Sequence, residues 1–171
     1  MKFSVKTVTI TAVLSAFALL SFMLEGLIPP IFIPGARLGL SNLFVLLALI
    51  LLGTKSAFAV FIVKVILGSI FAGNISMVMY SLPSGIISLA FEVILIKYLG
   101  NKLSLVAIST GAAVINVAIQ NLVYVLITNT PSLMVYLPYL VLISVCSGAF
   151  VGIVCQIIIN ILPINFAKDK V

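Results

Sequence analysis

The chain has 171 residues, of which 64% are hydrophobic and only 7% are charged, and it contains no histidine. A soluble domain has roughly 25% charged residues, so this sequence is too apolar to cover a surface exposed to water. The net charge of +6 does not indicate nucleic-acid binding, because the basic residues stand singly between long apolar stretches and form no patch. The composition therefore argues against a soluble enzyme and predicts an integral membrane protein.

Six apolar segments meet or approach the length of about 20 residues that a helix needs to cross a bilayer core of about 30 Å. Backbone groups in lipid must find partners within their own segment, and the alternation typical of a membrane barrel is absent, so the segments are predicted to be helices. We expect a single transmembrane domain over residues 1–171, an all-α bundle whose helices cover about 6–27, 39–53, 56–72, 76–98, 103–128 and 139–162. The second and third segments are short, so each either spans a thin region or is partly covered by neighbouring helices.

The distribution of basic residues predicts the orientation of this bundle. With a cytoplasmic N-terminus, seven lysines lie on the inner side and Arg37 alone lies on the outer side, which is a strong positive-inside bias. The seven are Lys2, Lys6, Lys55, Lys97, Lys102, Lys168 and Lys170. Both termini are therefore expected to be cytoplasmic, with the connection between the first two helices outside.

Three charged residues lie in or near the apolar segments: Glu25, Lys64 and Glu92. A charge at the centre of a bilayer costs at least about 2.5–3.5 kcal/mol, so such residues are usually paired or functional. Lys64 lies too deep for its side chain to reach the interface and must face protein or a wet cavity. Glu92 lies on the adjacent helix, and the two residues form either a stabilising pair or part of a binding site.

The connection after the first helix carries three prolines and further small residues in an apolar context, which is unusual for a solvated loop. We interpret it either as a lid over an outward-facing cavity or as a rigid connector. In the lid interpretation Glu25, Arg37 and Asn42 lie at the rim of the site. The pocket itself is then expected to be formed by this connection and the outer halves of helices three to five.

Asn116 and Gln120 lie four residues apart in the fifth segment and therefore share one helix face. Uncharged amides in a membrane either bond between helices or contact a ligand, and the sequence leaves both open. In the first segment Ala12 and Ala16 form a small-xxx-small pattern, which permits close approach of another helix and suggests a docking face for a partner protein.

Motifs for catalysis are missing from the sequence. There is no glycine-rich loop ending in Lys-Ser or Lys-Thr that could hold a nucleotide, and the only aspartate is Asp169. Diphosphate chemistry normally needs carboxylates that hold a metal ion, and two cysteines without histidine do not suggest a zinc or haem site. We therefore expect no catalytic residue, no metal site and no cofactor.

Several blocks of the chain resemble a bacterial membrane family known as heptaprenyl diphosphate synthase component I, or the Gx transporter family. The most specific block is Glu25, Pro29, Pro30, Pro34, Gly35, Arg37, Leu38, Gly39, Leu40 and Asn42. Arg37 stands where the family usually has lysine, and Lys64 in the block 64–73 stands where arginine is usual. Residues 81–89 are similar to a third block, whereas Ile115-Asn116 replaces the family's His-Asn pair.

This family is similar to the S components of energy-coupling factor (ECF) transporters, which have six helices and bind micronutrients from the outer side. The resemblance implies a substrate-binding subunit in the bacterial plasma membrane that takes a small-molecule ligand. It also implies that Ala12 and Ala16 dock on an ECF transmembrane subunit, with ATPase subunits driving transport. The alternatives are a non-catalytic membrane component associated with heptaprenyl diphosphate synthase in quinone biosynthesis, and an assembly protein without a ligand.

Overall fold

The computed structural model describes residues 5–27, 39–100 and 102–161. The described residues form six α-helices, which confirms the predicted all-α bundle. They are α1 Val5–Leu27, α2 Leu40–Leu52, α3 Thr54–Phe71, α4 Met77–Leu99, α5 Leu105–Thr128 and α6 Leu137–Ile161, and a 3-10 helix over Pro131–Tyr136 precedes α6. Each bound differs by at most two residues from the range expected from the apolar segments.

The outer surface of the bundle is apolar. Phe17, Leu126 and Leu142 are between 50% and 71% exposed, and many other large hydrophobic side chains share this exposure. A soluble protein rarely exposes contiguous apolar surface on this scale, whereas a bilayer solvates it. Five of the described helical segments are long and apolar enough to cross a membrane. The chain is therefore a multi-pass membrane protein.

The exception in length is α2, whose 13 residues extend about 20 Å at 1.5 Å per residue. Five consecutive residues, Val45–Leu49, are buried. Successive residues of a helix point about 100° apart, so a buried run of this length means that protein surrounds α2 on all sides. Of the two alternatives that the sequence left open for this segment, the burial of these residues supports cover by neighbouring helices. Gly53 alone, at φ 89°, separates α2 from α3 and turns the chain sharply.

The helices form two groups of three. One group consists of α1, α2 and α3, and the other of α4, α5 and α6, with the contacts between them running along α3–α4 and α2–α6. The α5–α6 pair is the most extensive because two glycines of α6 let the helices approach closely. A Cβ atom added at Gly152 would lie 2.5 Å from Cα of Val106, and one at Gly148 would lie 2.8 Å from Cα of Thr110.

Candidate functional site

A polar cavity lies between the two groups of helices, and all six helices contribute to its lining. Its free volume is about 100 Å³. More helices line the cavity than the sequence predicted, because α6 and the start of α2 also contribute residues to it. Buried polar groups in the membrane interior are costly unless something solvates them, so a cavity of this composition is a candidate binding site.

The structure brings together all of the predicted ligand-binding residues that lie within its described ranges. These are Glu25, Asn42, Lys64, Glu92, Asn116 and Gln120, and each of them lines the cavity. Arg37 and the connection over residues 28–38 lie outside the described residues, so the lid stays a prediction. The cytoplasmic location of the two termini also stays a prediction. Ala12 and Ala16 are exposed on α1, away from the cavity, where a partner helix could reach them.

Glu25 caps the N-terminus of α2. It is 7% exposed, and its two carboxylate oxygens accept hydrogen bonds from the backbone amides of Gly39 (3.2 Å) and Ser41 (2.8 Å). The first amides of a helix have no partner inside the helix, and the N-terminal end of the helix dipole favours a negative charge. Glu25 therefore holds α2 in place at the rim of the cavity, a function that the sequence did not reveal.

Lys64 is the buried cation of the cavity, at 5% exposure. Its ammonium donates a hydrogen bond of 2.5 Å to Oδ1 of Asn42 and lies 5.8 Å from the centre of the Phe61 ring. Glu92, which is 8% exposed, lines the same cavity, where a negative charge on its side chain would be attracted to Lys64. The prediction that Lys64 faces protein or a wet cavity is confirmed, and Asn42 is a partner that sequence reasoning did not foresee.

Serine hydroxyls line much of the cavity, and sequence reasoning missed all of them. The seven residues are Ser41, Ser81, Ser84, Ser88, Ser109, Ser144 and Ser147. The signal in the sequence is periodic: Ser81, Ser84 and Ser88 recur at helical spacing ahead of Glu92, which gives α4 one polar face. Each serine is unremarkable by itself in a membrane helix, because its hydroxyl can bond to the helix backbone.

Several polar groups of the cavity form no hydrogen bond within the described part of the chain. No described residue donates a hydrogen bond to the Glu92 carboxylate, and none bonds to the side-chain amide of Asn116 or Gln120. Such groups are usually satisfied by water or a ligand when they lie inside a protein. The interpretation that the α5 amides contact a ligand is therefore favoured over bonding between helices.

The arrangement offers hydrogen-bonding groups that could hold a small molecule. Within the described ranges, no group of three or more His, Cys, Asp or Glu side chains is placed to hold a metal ion. Among the described residues, the ionisable side chains that line the cavity are Glu25, Lys64 and Glu92, and Glu25 binds backbone amides. What the cavity offers a small molecule is a set of hydrogen-bonding groups inside the helix bundle.

The fold and the cavity define a class: a multi-pass helical membrane protein with a polar interior cavity. The family described as heptaprenyl diphosphate synthase component I matches residues 14–158, and the chain belongs to this family. The match confirms the resemblance that was drawn from the Glu25–Asn42 block. No curated protein and no solved structure matches the chain.

Proposed function

We propose that this chain is the substrate-binding membrane subunit, or S component, of an ECF-type uptake transporter for a small molecule or micronutrient. One observation carries the proposal: the interior of the bundle is a polar cavity in which the side chains of Glu92, Asn116 and Gln120 form no hydrogen bond with a described residue. A protein that only anchors or assembles others has no use for such groups, and a dry core would be more stable. A captured solute would satisfy them.

The surface of α1 supports the same proposal. Ala12 and Ala16 are exposed and lie one helical turn apart, so their small side chains leave a shallow strip on the outside of the bundle. Close helix packing in membranes relies on small residues of this kind. The chain has no nucleotide-binding loop, so transport would depend on partner subunits that hydrolyse ATP. In this proposal the chain is not itself an enzyme.

The proposal is tested by co-purification with ECF partners. The tagged chain is expressed together with an ECF transmembrane subunit and its two ATPase subunits, and the complex is quantified after gentle solubilisation. Leucine at both Ala12 and Ala16 is expected to abolish recovery of the ATPase subunits, while the chain still elutes as a monodisperse species. Leucine at Ala59 and Ala107, two exposed alanines on other helices, provides the matched control and should leave recovery unchanged.

Unaltered recovery in the Ala12→Leu, Ala16→Leu variant would reject docking through this face. Failure of the wild-type chain to recover any ATPase subunit, together with failure to take up solute when all subunits are present, would reject the transport function as a whole.

A second candidate is a non-catalytic membrane component associated with heptaprenyl diphosphate synthase, and the description of the family favours it. In that case the chain would recruit a soluble prenyl synthase subunit to the membrane. Co-purification with that subunit, and not with ATPase subunits, would support this alternative. A prenyl diphosphate that binds in the cavity would support it further.

A further inference from the structure

We propose that Asn116 and Gln120 of α5 recognise an amide-like edge of the solute, in which an N–H donor and a carbonyl acceptor stand side by side. Lactams, cyclic ureas and carboxamides carry such an edge. The inference rests on the proposed uptake function and names the class of solute that the cavity would take.

The two amides belong to the face of α5 that lines the cavity. Ser109, Ala113, Asn116, Val117 and Gln120 are the residues that α5 contributes to the lining, and their spacing of three or four residues keeps them on one side of the helix. Side chains four residues apart have Cβ atoms about 5–6 Å from each other, so the two amides are neighbours along the cavity wall. Neither amide forms a hydrogen bond with a described residue.

A carboxamide side chain carries a carbonyl acceptor beside N–H donors. Its complement is a group in which a donor stands beside an acceptor, and Asn and Gln recognise adenine in DNA through two hydrogen bonds to such an edge. A carboxylate of the solute would leave the side-chain carbonyl without a donor, and an ammonium would leave the side-chain N–H groups without an acceptor. Unmatched polar groups inside a protein are costly, which favours an amide-like edge over both.

The other polar groups of the cavity set no such preference. The hydroxyls of Ser81 and Ser109 can donate or accept, and the Lys64 ammonium has three N–H groups, one of which binds Asn42. These side chains can therefore contact donors or acceptors elsewhere on the solute. The side-by-side pairing of a donor and an acceptor is specific to the carboxamides.

The apolar walls of the cavity favour a solute with a carbon skeleton. Phe22, Phe61, Val65 and Val151 line the cavity together with the polar groups. The ring of Phe61 is held against Gly85, where an added Cβ atom would collide with it. A polyol would place hydroxyls against these side chains, whereas a lactam or heterocycle would bury apolar surface there. The free volume of about 100 Å³ is several times the roughly 10–15 Å³ that one water molecule needs, so the cavity admits a larger molecule than water.

The test uses pairs of solutes of nearly the same shape, one with the N–H groups of the edge and one with CH₂ in their place. The full chain in lipid nanodiscs is titrated with 2-piperidone and cyclohexanone, and with 2-imidazolidinone and cyclopentanone, and empty nanodiscs provide the blank. All four solutes are uncharged, so the charged residues of the chain act on both members of a pair alike. We expect the member with the N–H to bind at least about tenfold more tightly in each pair.

Two variants assign this preference to α5. Asn116→Leu and Gln120→Met remove the hydrogen-bonding groups at nearly the same side-chain size, and each should bring the ratio of the two affinities toward one. Asn160→Leu, at an exposed amide on α6, is the control and should keep the wild-type ratio. A merely structural role of the two amides would change stability without changing the ratio.

Equal or tighter binding of the ketones overturns the inference and leaves the solute-binding function intact. An unchanged ratio in Asn116→Leu and Gln120→Met also overturns it. If none of the four solutes binds, mass spectrometry of the molecule that wild-type protein releases on denaturation decides. A molecule with a lactam, urea or carboxamide edge supports the inference, and a polyol or any other molecule without such an edge overturns it. The release of no solute overturns both the inference and the proposed function.

Discussion

The carboxylate of Glu25 accepts a hydrogen bond of 2.8 Å from the backbone amide of Ser41, sixteen residues further along the chain. This contact joins the end of α1 to the beginning of α2 at the rim of the polar cavity. A charged residue that would be costly in the membrane is thereby used to satisfy the exposed amides of a helix terminus. Glu25, which the lid interpretation places at the rim of the site, thus also supports the frame of the site.

Glu25→Ala should destabilise the protein. The substitution removes both acceptors from the amides of Gly39 and Ser41, and leaving buried donors without partners costs about 1–3 kcal/mol. Glu25→Gln keeps one acceptor oxygen and should lose less. Circular dichroism recorded during thermal unfolding in detergent gives the melting temperatures of the wild type, Glu25→Gln and Glu25→Ala, which should fall in that order. An alanine variant that melts like the wild type would show that Glu25 does not cap α2.

Lys64→Met should destabilise the protein, because it removes the buried ammonium that donates to Oδ1 of Asn42 and attracts Glu92. Loss of a hydrogen bond from a charged group costs about 1.5–3 kcal/mol. Adding Glu92→Gln should recover much of that loss, since the double variant buries no uncompensated charge. A double-mutant cycle on melting temperature or chemical unfolding tests this coupling.

Lys102→Met is the control, because Lys102 is an exposed lysine outside the cavity. Its effect should fall within about 0.5 kcal/mol of zero. Strictly additive losses for Lys64→Met and Glu92→Gln would contradict the electrostatic coupling of the two residues.

Gly152→Ala should loosen the α5–α6 pair. The added Cβ would lie 2.5 Å from Cα of Val106 and 3.1 Å from the carbonyl oxygen of Leu105, and neither backbone atom can move aside without shifting the helix. Overpacking of this kind costs about 1–3 kcal/mol. Gly26→Ala, where nothing lies within 4 Å of the new Cβ, is the control and should keep the wild-type melting temperature. Equal stability of the two variants would contradict close packing at Gly152.

The number and bounds of the helices could be predicted because the bilayer imposes them. Long apolar runs and the breaks between them follow directly from the need to satisfy every backbone group in lipid. The charged and amide residues of the cavity could be predicted for the same reason: Lys64, Glu92, Asn116 and Gln120 are costly in lipid, so their presence signals a polar interior.

The serine lining and the glycine packing of α6 could not be predicted in the same way. Ser88 and Ser144 donate to backbone carbonyls, so a serine in a membrane helix has little cost and gives little signal. Gly148 and Gly152 show their role only once α5 is placed against them. The capping role of Glu25 could not be predicted either. Its partners, the amides of Gly39 and Ser41, lie more than ten residues further along the chain, and no local sequence pattern shows that they return to Glu25.

The orientation of the bundle is open to direct chemical test. In a background lacking Cys146 and Cys155, a single cysteine is placed at Arg37 or at Lys102, and intact cells are treated with a membrane-impermeant maleimide. The positive-inside bias predicts that Arg37→Cys is labelled from outside and that Lys102→Cys is labelled only after permeabilisation. Labelling in the reverse pattern would place the first connection in the cytoplasm and remove the outward-facing entrance.

The most direct test of the account is whether the cavity holds a solute. Native mass spectrometry of gently purified wild-type protein is expected to show a retained small molecule that is released on activation. Asn116→Leu and Gln120→Leu should lose it without a fall in melting temperature, whereas Asn160→Leu, at an exposed amide on α6, should retain it. A wild-type protein that carries only lipid, under conditions that preserve its fold, would contradict the claim that this bundle is a solute-binding subunit.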